Sequence, residues 1–197
     1  MLCAELTRGI DAVVIGASAG GVEVLSALLP EIARDCRVSF FIVMHIPRER
    51  PSLLPEVFST RCVLPVKEAE DKEPVRPGTV YFAPPDYHML IDRGPALALS
   101  GDEPVHFSRP SIDVLFDSAA DIYGERLMGV ILTGANQDGA EGLAAVARAG
   151  GRTVVQEPGS AAVAYLPEAA LQQGPVDAVL PLEQLRALFA QLTAVST

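Results

Sequence analysis

The sequence has no tryptophan, and only 6% of its 197 residues are aromatic, so a core must be built largely from aliphatic side chains. Basic residues are also few. Fifteen lysines and arginines stand against 25 aspartates and glutamates, which gives a formal net charge of −10. Because binding to phosphates needs a basic surface, this charge disfavours a nucleic-acid partner. It also disfavours a lasting position on an anionic membrane surface.

Cysteines and long apolar runs are scarce as well. The three cysteines, Cys3, Cys36 and Cys62, are odd in number and widely spaced. This pattern is typical of reduced structural thiols and predicts neither a disulfide framework nor a zinc site. The chain does not open with a signal-peptide pattern, and its longest apolar run falls far short of the roughly 20 residues that a membrane helix needs. The composition therefore predicts a cytoplasmic protein.

A chain of this length with 49% apolar residues is expected to form one domain, residues 1–197. After a short lead-in, apolar β-rich runs predict buried strands at 12–16, 38–44, 128–133, 153–156 and 179–180. Helical patterns at 22–29, 53–58, 111–119, 140–149, 167–171 and 182–192 alternate with them. This alternation implies right-handed parallel crossovers.

Residues 63–104 have a different character, because proline and glycine separate short strand patterns at 63–69, 79–83, 88–92 and 96–100. These patterns predict antiparallel hairpins. We therefore expect a doubly wound α/β fold: a mostly parallel sheet with helices on both faces and an inserted antiparallel hairpin portion.

The most informative local motif is G-x-S-x-G, formed by Gly16, Ser18 and Gly20 where the first strand ends. Three interpretations are open on the motif alone. It is the spacing of a nucleophile elbow, which presents a serine hydroxyl at the end of a sheet. A glycine-rich turn also holds the pyrophosphate of a dinucleotide. The third interpretation is plain packing, with Ser18 capping the next helix.

Polar side chains follow three of the predicted strands: Ser18, His45 and Asp138. Because the carboxyl ends of parallel strands meet at one edge of a sheet, these residues could assemble a Ser-His-Asp triad. Their order differs from the Ser-Asp-His order of α/β-hydrolases. The second strand ends without the acidic residue that a dinucleotide site needs, which weighs against a nucleotide. A structural histidine and a turn-forming aspartate remain the alternatives for His45 and Asp138.

Three blocks resemble the signature blocks of CheB-type protein-glutamate methylesterases: IGASAGG at 15–21, MHIP at 44–47 and ILTGANQDGA at 131–140. The likeness extends through 66–71, 81–89 and 109–116. The resemblance implies that Ser18, His45 and Asp138 are catalytic. It also implies hydrolysis of glutamate methyl esters on chemotaxis receptors, with deamidation of receptor glutamines in many members. No metal or other cofactor is implied.

The sequence departs from this family pattern at several places. The family usually carries an N-terminal receiver domain, whereas this chain starts almost at the catalytic domain, so a separate receiver or regulatory protein is an expected partner. Threonine often follows the family's serine, and Gly-Met-Gly often precedes its aspartate; here Ala19 and Gly134-Ala135-Asn136 hold those positions. We expect backbone N–H groups near Ala19 and Ala135 to form an oxyanion hole. If the methionine side chain shapes the family's pocket, the specificity here differs.

Four further polar residues are predicted to be structural: a hairpin histidine, a loop histidine, a salt-bridging arginine and an aspartate that the dipole of its helix explains. They are His88, His106, Arg109 and Asp113. Two other classes of function stay open. One is a non-catalytic regulatory homologue that binds receptors or signalling partners, and the weaker one is a nucleotide-binding module.

Overall fold

A computed structural model describes residues 2–45 and 52–192. Its strands are β1 (Ala12–Ala17), β2 (Ser39–Met44), β3 (Val66–Glu68), β4 (Val80–Phe82), β5 (His88–Asp92), β6 (Ala96–Ser100), β7 (Leu127–Ile131), β8 (Arg152–Gln156) and β9 (Ala178–Leu180). Its helices are α1 (Leu2–Leu6), α2 (Gly21–Leu28), α3 (Leu54–Ser59), α4 (Ile112–Tyr123), α5 (Ala140–Arg148), α6 (Tyr165–Gln173) and α7 (Leu182–Phe189). Ile46 and Pro47, which belong to one of the motif blocks, lie outside the described residues.

Within the described residues, seven strands form one sheet in the order β3-β4-β2-β1-β7-β8-β9, and all of their pairings are parallel. Strand β1 lies at the centre, with Ala12 opposite Ser39 of β2 on one side and Leu127 of β7 on the other. From β1 the chain first builds one half of the sheet, where it passes through β2 to the edge strand β3 and returns to β4 between them. It then builds the other half in the order β7, β8, β9, and this division about β1 confirms the doubly wound fold.

The central strands are buried on both faces, as their continuous apolar runs predict. On one face, Val13 and Ile15 of β1 join a core with residues of α2 and α7. On the other face, Val14 joins a second core with residues of α4, α5 and α6. Successive residues of a strand point to opposite faces, so one short strand anchors helices on both sides of the sheet.

The predicted antiparallel portion is only partly correct. Strands β5 and β6 do form an antiparallel hairpin. Strands β3 and β4 do not, because both are parallel members of the main sheet, and β4 lies between β3 and β2. All three residues of β4 are buried, as a strand inside a sheet requires. The proline- and glycine-rich segment between β3 and β4 is a crossover connection rather than a hairpin turn.

Smaller differences concern element ends. The lead-in contains the short helix α1. Helix α6 spans Tyr165–Gln173, so it extends two residues beyond the predicted range of 167–171 at each end. No helix in the part of the chain that the structure describes has the length and hydrophobicity needed to cross a bilayer.

Helix α4 packs very closely on β1, and this approach requires a glycine. A Cβ atom added at Gly16 would lie 2.4 Å from Cγ2 of Ile112 and 3.1 Å from Cδ1 of Ile131. Both isoleucines are fully buried and have little freedom to move. The first turn of α4 therefore rests directly on the backbone of β1.

We expect Gly16→Ala to lower the free energy of unfolding by about 1–3 kcal/mol, because the new methyl group overpacks this contact. Urea denaturation followed by circular dichroism measures the change. Gly159→Ala is the matched control, since a Cβ there meets nothing within 4 Å. Equal unfolding midpoints for the two variants would contradict the close packing of α4 on β1.

Candidate active site

Ser18 and His45 leave the sheet from neighbouring strands. Ala17 lies opposite Met44 in the register of β1 and β2, and each predicted site residue comes one position later. The backbone N–H of His45 donates to Ala17 O at 3.1 Å, and that of Ser18 donates to Thr133 O at 3.0 Å. The ends of β1, β2 and β7 are thus joined by hydrogen bonds at one edge of the sheet.

The turn after Ser18 depends on glycine. Gly20 has φ of 81°, in the left-handed region, and a Cβ there would lie 2.7 Å from Cβ of Ala162. A Cβ on Gly134 would lie 3.1 Å from Cβ of Ser18. The N-cap of α2 is Gly20, with no side-chain cap, so the interpretation of Ser18 as a helix cap is wrong. The serine side chain is instead half-buried at the sheet edge.

Asp138 is fully buried and accepts four hydrogen bonds. Its Oδ2 accepts from His45 Nε2 at 2.7 Å and from the backbone N–H of Ile112 at 2.7 Å. Its Oδ1 accepts from Ser111 Oγ at 2.6 Å and from the N–H of Asp113 at 3.2 Å. Burial by itself would raise the pKa of Asp138, but these donors outweigh it and lower the pKa below its ordinary value of 3.8. The carboxylate is therefore ionised at neutral pH.

Two aspartates exchange helix caps across the site. Asp138 lies just before α5 but accepts from the first turn of α4. Asp113 belongs to α4, and its Oδ1 accepts from the N–H groups of Gly139 at 2.9 Å and Gly142 at 2.6 Å, at the start of α5. Asp113 lies in the first turn of α4, where the dipole of that helix is expected to explain it, and its carboxylate also caps the start of α5. We call this reciprocal arrangement the crossed caps.

The pKa values of Asp113 and Asp138 are shifted in opposite directions. Burial, together with the nearby charge of Asp138, raises the pKa of Asp113 from 3.8 to about 6, against the opposing effect of its backbone donors. Its Oδ2 is buried and has no hydrogen-bond partner among the described residues. His106 Nε2 lies 3.5 Å from this oxygen. Asp113 is thus the carboxylate of the pair that takes up a proton more readily.

The imidazole of His45 has a defined tautomer. Because the carboxylate of Asp138 has no proton to give, His45 Nε2 carries the hydrogen, and Nδ1 of the neutral ring is an unprotonated acceptor. The amide Nδ2 of Asn136 lies 3.3 Å from this Nδ1. Ser18 Oγ forms no hydrogen bond with any residue in 2–45 or 52–192. The structure thus joins His45 to Asp138 and places Ser18 at the adjacent strand end.

The two alanines predicted near an oxyanion hole are both exposed. Neither backbone N–H, of Ala19 or of Ala135, donates to another group in the described part of the chain. The carbonyl of Ala19 accepts from Thr133 Oγ1 at 2.8 Å, which ties the turn after Ser18 to the end of β7. The N–H groups of Ala19 and Ala135 therefore have no acceptor among the described residues.

Several residues of the site escape prediction from sequence. Ser111 opens the helical pattern at 111–119, which does not indicate that its hydroxyl donates to Asp138. Gln156, fully buried, accepts from the N–H of Thr133 at 3.0 Å, and nothing in its local sequence indicates this. Asn136 shows itself only as a departure from the family pattern. Each of these contacts joins segments distant in sequence, which a local pattern does not report.

The other predicted structural residues behave as expected. His88 is buried, and its Nδ1 accepts from the N–H of Ser111 at 3.1 Å. Arg109 pairs with Asp86, with 2.7 Å between Nη2 and Oδ1.

Among residues 2–45 and 52–192, no three histidine, cysteine, aspartate or glutamate side chains are grouped so that they could hold a metal ion.

Fold and site together define a doubly wound α/β protein whose sheet edge carries a serine beside a histidine–aspartate pair. The family model for the CheB methylesterase matches residues 13–189. A protein of Leptospira interrogans is 43% identical over 182 residues, which cover 92% of this chain and 94% of the relative. The chain belongs to the CheB methylesterase family.

Two further relatives are longer proteins. A protein-glutamate methylesterase/protein-glutamine glutaminase of Bordetella parapertussis is 40% identical over 88% of this chain and 50% of its own length. One of Caulobacter vibrioides is 36% identical over 89% of this chain and 52% of its own length. The chain thus spans about half of each. The crystal structure of the Thermotoga maritima CheB methylesterase catalytic domain superposes with a TM-score of 0.88, at 32% identity, and covers 93% of this chain and 99% of that domain.

The high pKa of Asp113 predicts a pH-dependent difference in stability between the wild type and Asp113→Asn. Native Asp113 has a pKa of about 6, above its ordinary 3.8, so between these values the native state binds more protons than the unfolded state. Raising the pH from 4.5 to 7 should therefore lower the stability of the wild type relative to Asp113→Asn by about 1–2 kcal/mol.

Urea unfolding at a series of pH values measures this difference. Asp117→Asn changes an exposed carboxylate of the same helix and should keep the wild-type pH profile. A difference between wild type and Asp113→Asn that stays constant over the whole range would refute the raised pKa.

Proposed function

We propose that this chain is a serine esterase that hydrolyses glutamate methyl esters on a protein, acting as a single catalytic domain over residues 1–197. The observation that carries the proposal is the hydrogen bond between His45 and the buried, ionised Asp138 at the strand end beside Ser18. Membership of the CheB methylesterase family and the names of the relatives support the same reaction. We assign Ser18 as nucleophile, His45 as general base and Asp138 as the residue that orients the imidazole.

Acylation follows from the tautomer of His45. Its unprotonated Nδ1 takes the proton of Ser18 as Oγ bonds to the ester carbonyl carbon of the methylated glutamate. The ring then carries a positive charge, which the carboxylate of Asp138 stabilises through Nε2–H. When the tetrahedral intermediate breaks down, the bond to the methoxy oxygen breaks. Nδ1 returns the proton to that oxygen, and methanol leaves.

Deacylation repeats these steps with water. A water molecule gives a proton to Nδ1 of His45 and its oxygen bonds to the acyl carbon, after which Ser18 leaves with that proton. The products are free Ser18 and a glutamate side chain. The same acyl-enzyme would form from a glutamine side chain with loss of ammonia, so we include deamidation in the proposal. The relatives' names include protein-glutamine glutaminase.

The N–H groups of Ala19 and Ala135 are our candidates for the oxyanion hole. Ala19 follows the nucleophile in sequence, and Ala135 follows Gly134, where an added Cβ would lie 3.1 Å from Cβ of Ser18. Both N–H groups lack an acceptor within the described residues. Such preorganised donors favour the transition state because negative charge develops on the carbonyl oxygen as Ser18 attacks. A donor of this kind is worth about 3–4 kcal/mol in comparable sites. Backbone donors do not depend on the side chain, so alanine at these positions is compatible with the role.

We propose a methyl-accepting chemotaxis receptor as the protein substrate and a separate receiver or regulatory protein as a further partner. Membership of the CheB methylesterase family supports the receptor as substrate, and the regulatory partner is proposed from the resemblance to that family. We place the reaction in the cytoplasm, since Cys3, Cys36 and Cys62 are all free thiols. The relatives' names support turnover rather than a non-catalytic regulatory role.

Ser18→Ala should lower kcat by roughly 10⁶, because the whole triad acts through this hydroxyl. The measurement is methanol release from a methylated receptor-helix peptide. Ser160→Ala, which changes an exposed serine, is the control and should retain wild-type turnover. Turnover of Ser18→Ala within tenfold of the wild type would exclude Ser18 as the nucleophile.

Asp138→Asn should lower kcat by about 10⁴, because an amide can present its NH₂ group to His45 and impose the other tautomer. The exposed Asp117→Asn serves as its control. Methanol release gives kcat, and thermal unfolding shows what share of folded protein remains. Proportional losses of activity and of folded protein would mean that Asp138 is only structural.

A further inference from the structure

We propose that Asn136 is a positioning residue for His45 that serves both protonation states of the imidazole. This inference rests on the proposed function, in which Nδ1 of His45 first accepts and then holds a proton. Asn136 lies two residues before Asp138, at a position where the resembling family often has glycine. A glycine at this position has no side chain, so the amide of Asn136 is a feature of this chain that those family members lack.

At rest, the amide of Asn136 donates toward the base. Its Nδ2 lies 3.3 Å from His45 Nδ1 and 3.2 Å from Ser108 Oγ, so each amide hydrogen has an acceptor. Ser108 is firmly placed, because it closes a tight turn through two backbone hydrogen bonds with Val105, at 2.8 and 3.1 Å. The ring of His45 is thus held from Nε2 by a carboxylate and from Nδ1 by an amide.

The contact with Nδ1 is long enough to yield. Hydrogen bonds from N–H donors to oxygen usually measure 2.7–3.2 Å, and this contact from an N–H donor to a ring nitrogen measures 3.3 Å. Ser18 Oγ must reach the same lone pair to deliver its proton. A weak amide contact keeps the ring in place and the lone pair oriented, and it gives way to the stronger hydroxyl donor.

The amide oxygen of Asn136 is available as an acceptor for the protonated imidazole. Oδ1 of Asn136 is buried and has no hydrogen-bond partner in residues 2–45 and 52–192. Once Nδ1 of His45 is protonated, an NH₂ group facing it is repulsive. A half-turn of the amide then brings Oδ1 to the Nδ1–H, and the hydroxyl of Ser108 can donate to the same oxygen. In each of the two orientations of the amide, one of its polar atoms has no partner. The charge of the His45 ring therefore decides which orientation is favoured.

The test measures labelling of Ser18 by a fluorophosphonate, which needs no receptor. Ser18 Oγ bonds to phosphorus, the P–F bond breaks, fluoride leaves, and the serine proton passes to Nδ1 of His45. We compare the wild type with Asn136→Leu, which keeps the size of the side chain but removes both polar atoms. Gln137→Leu is the matched control, since that exposed amide contacts His106 rather than His45.

We expect Asn136→Leu to be labelled 10- to 100-fold more slowly than the wild type, and Gln137→Leu within twofold of it. With a methylated peptide, kcat of Asn136→Leu should fall by a similar factor while KM stays within twofold. The ¹⁵N resonance of His45 Nδ1 should move in Asn136→Leu and not in Gln137→Leu. If Asn136 had only a structural role, the resonance of His45 Nδ1 would not move, and kcat and KM would change by comparable factors.

Labelling of Asn136→Leu at or above the wild-type rate overturns the inference, because the amide would then only compete with Ser18. If that variant does not fold, Ser108→Ala takes its place. This variant removes one acceptor of the amide and should slow labelling two- to fivefold, and an unchanged rate likewise overturns the inference. A wild type that is not labelled at all instead refutes the proposed function itself.

Discussion

A buried carboxylate needs hydrogen-bond donors, and the site is arranged around this need of Asp138. Taking an ionised group out of water costs several kcal/mol unless other groups replace its hydration. Here His45, Ser111 and two backbone N–H groups at the start of α4 do so. Three of these four donors belong to the structural framework, and the fourth is the imidazole. Groups that take no part in the chemistry therefore join His45 in stabilising the charge that orients the base.

The sheet brings the residues of the site close together. Parallel strands β1, β2 and β7 end at one edge, and interstrand hydrogen bonds from His45 and Ser18 fix their backbones there. Glycine is needed where backbones approach closely: at Gly16 under α4 and at Gly20 in the turn after Ser18. The first turn of α4, which rests on β1, is also the turn that donates to Asp138. The same turn of α4 thus contributes both to the packing of the core and to the stabilisation of the charge on Asp138.

The sequence was sufficient to predict the doubly wound fold and to place Ser18, His45 and Asp138 at one edge, since both follow from strand succession. It was insufficient for β3 and β4, because the same proline- and glycine-rich punctuation fits a hairpin turn and a crossover loop. Local patterns also could not reveal that Asp113 caps α5, since the cap joins residues 26 and 29 positions apart. The contact between the amide of Asn136 and His45 depends on the conformation of the loop after β7, which a sequence pattern does not report.

The crossed caps have a consequence for how the molecule opens. The N-cap of α5 is a glycine without a side chain, so the first turn of α5 depends on a carboxylate carried by α4. In the other direction, the residue that precedes α5 accepts from the first turn of α4. Fraying of either helix end therefore leaves charges or donors unsatisfied at the other. The two helix starts should exchange their amide hydrogens together, as one cooperative unit, and a partly open molecule would have no competent base.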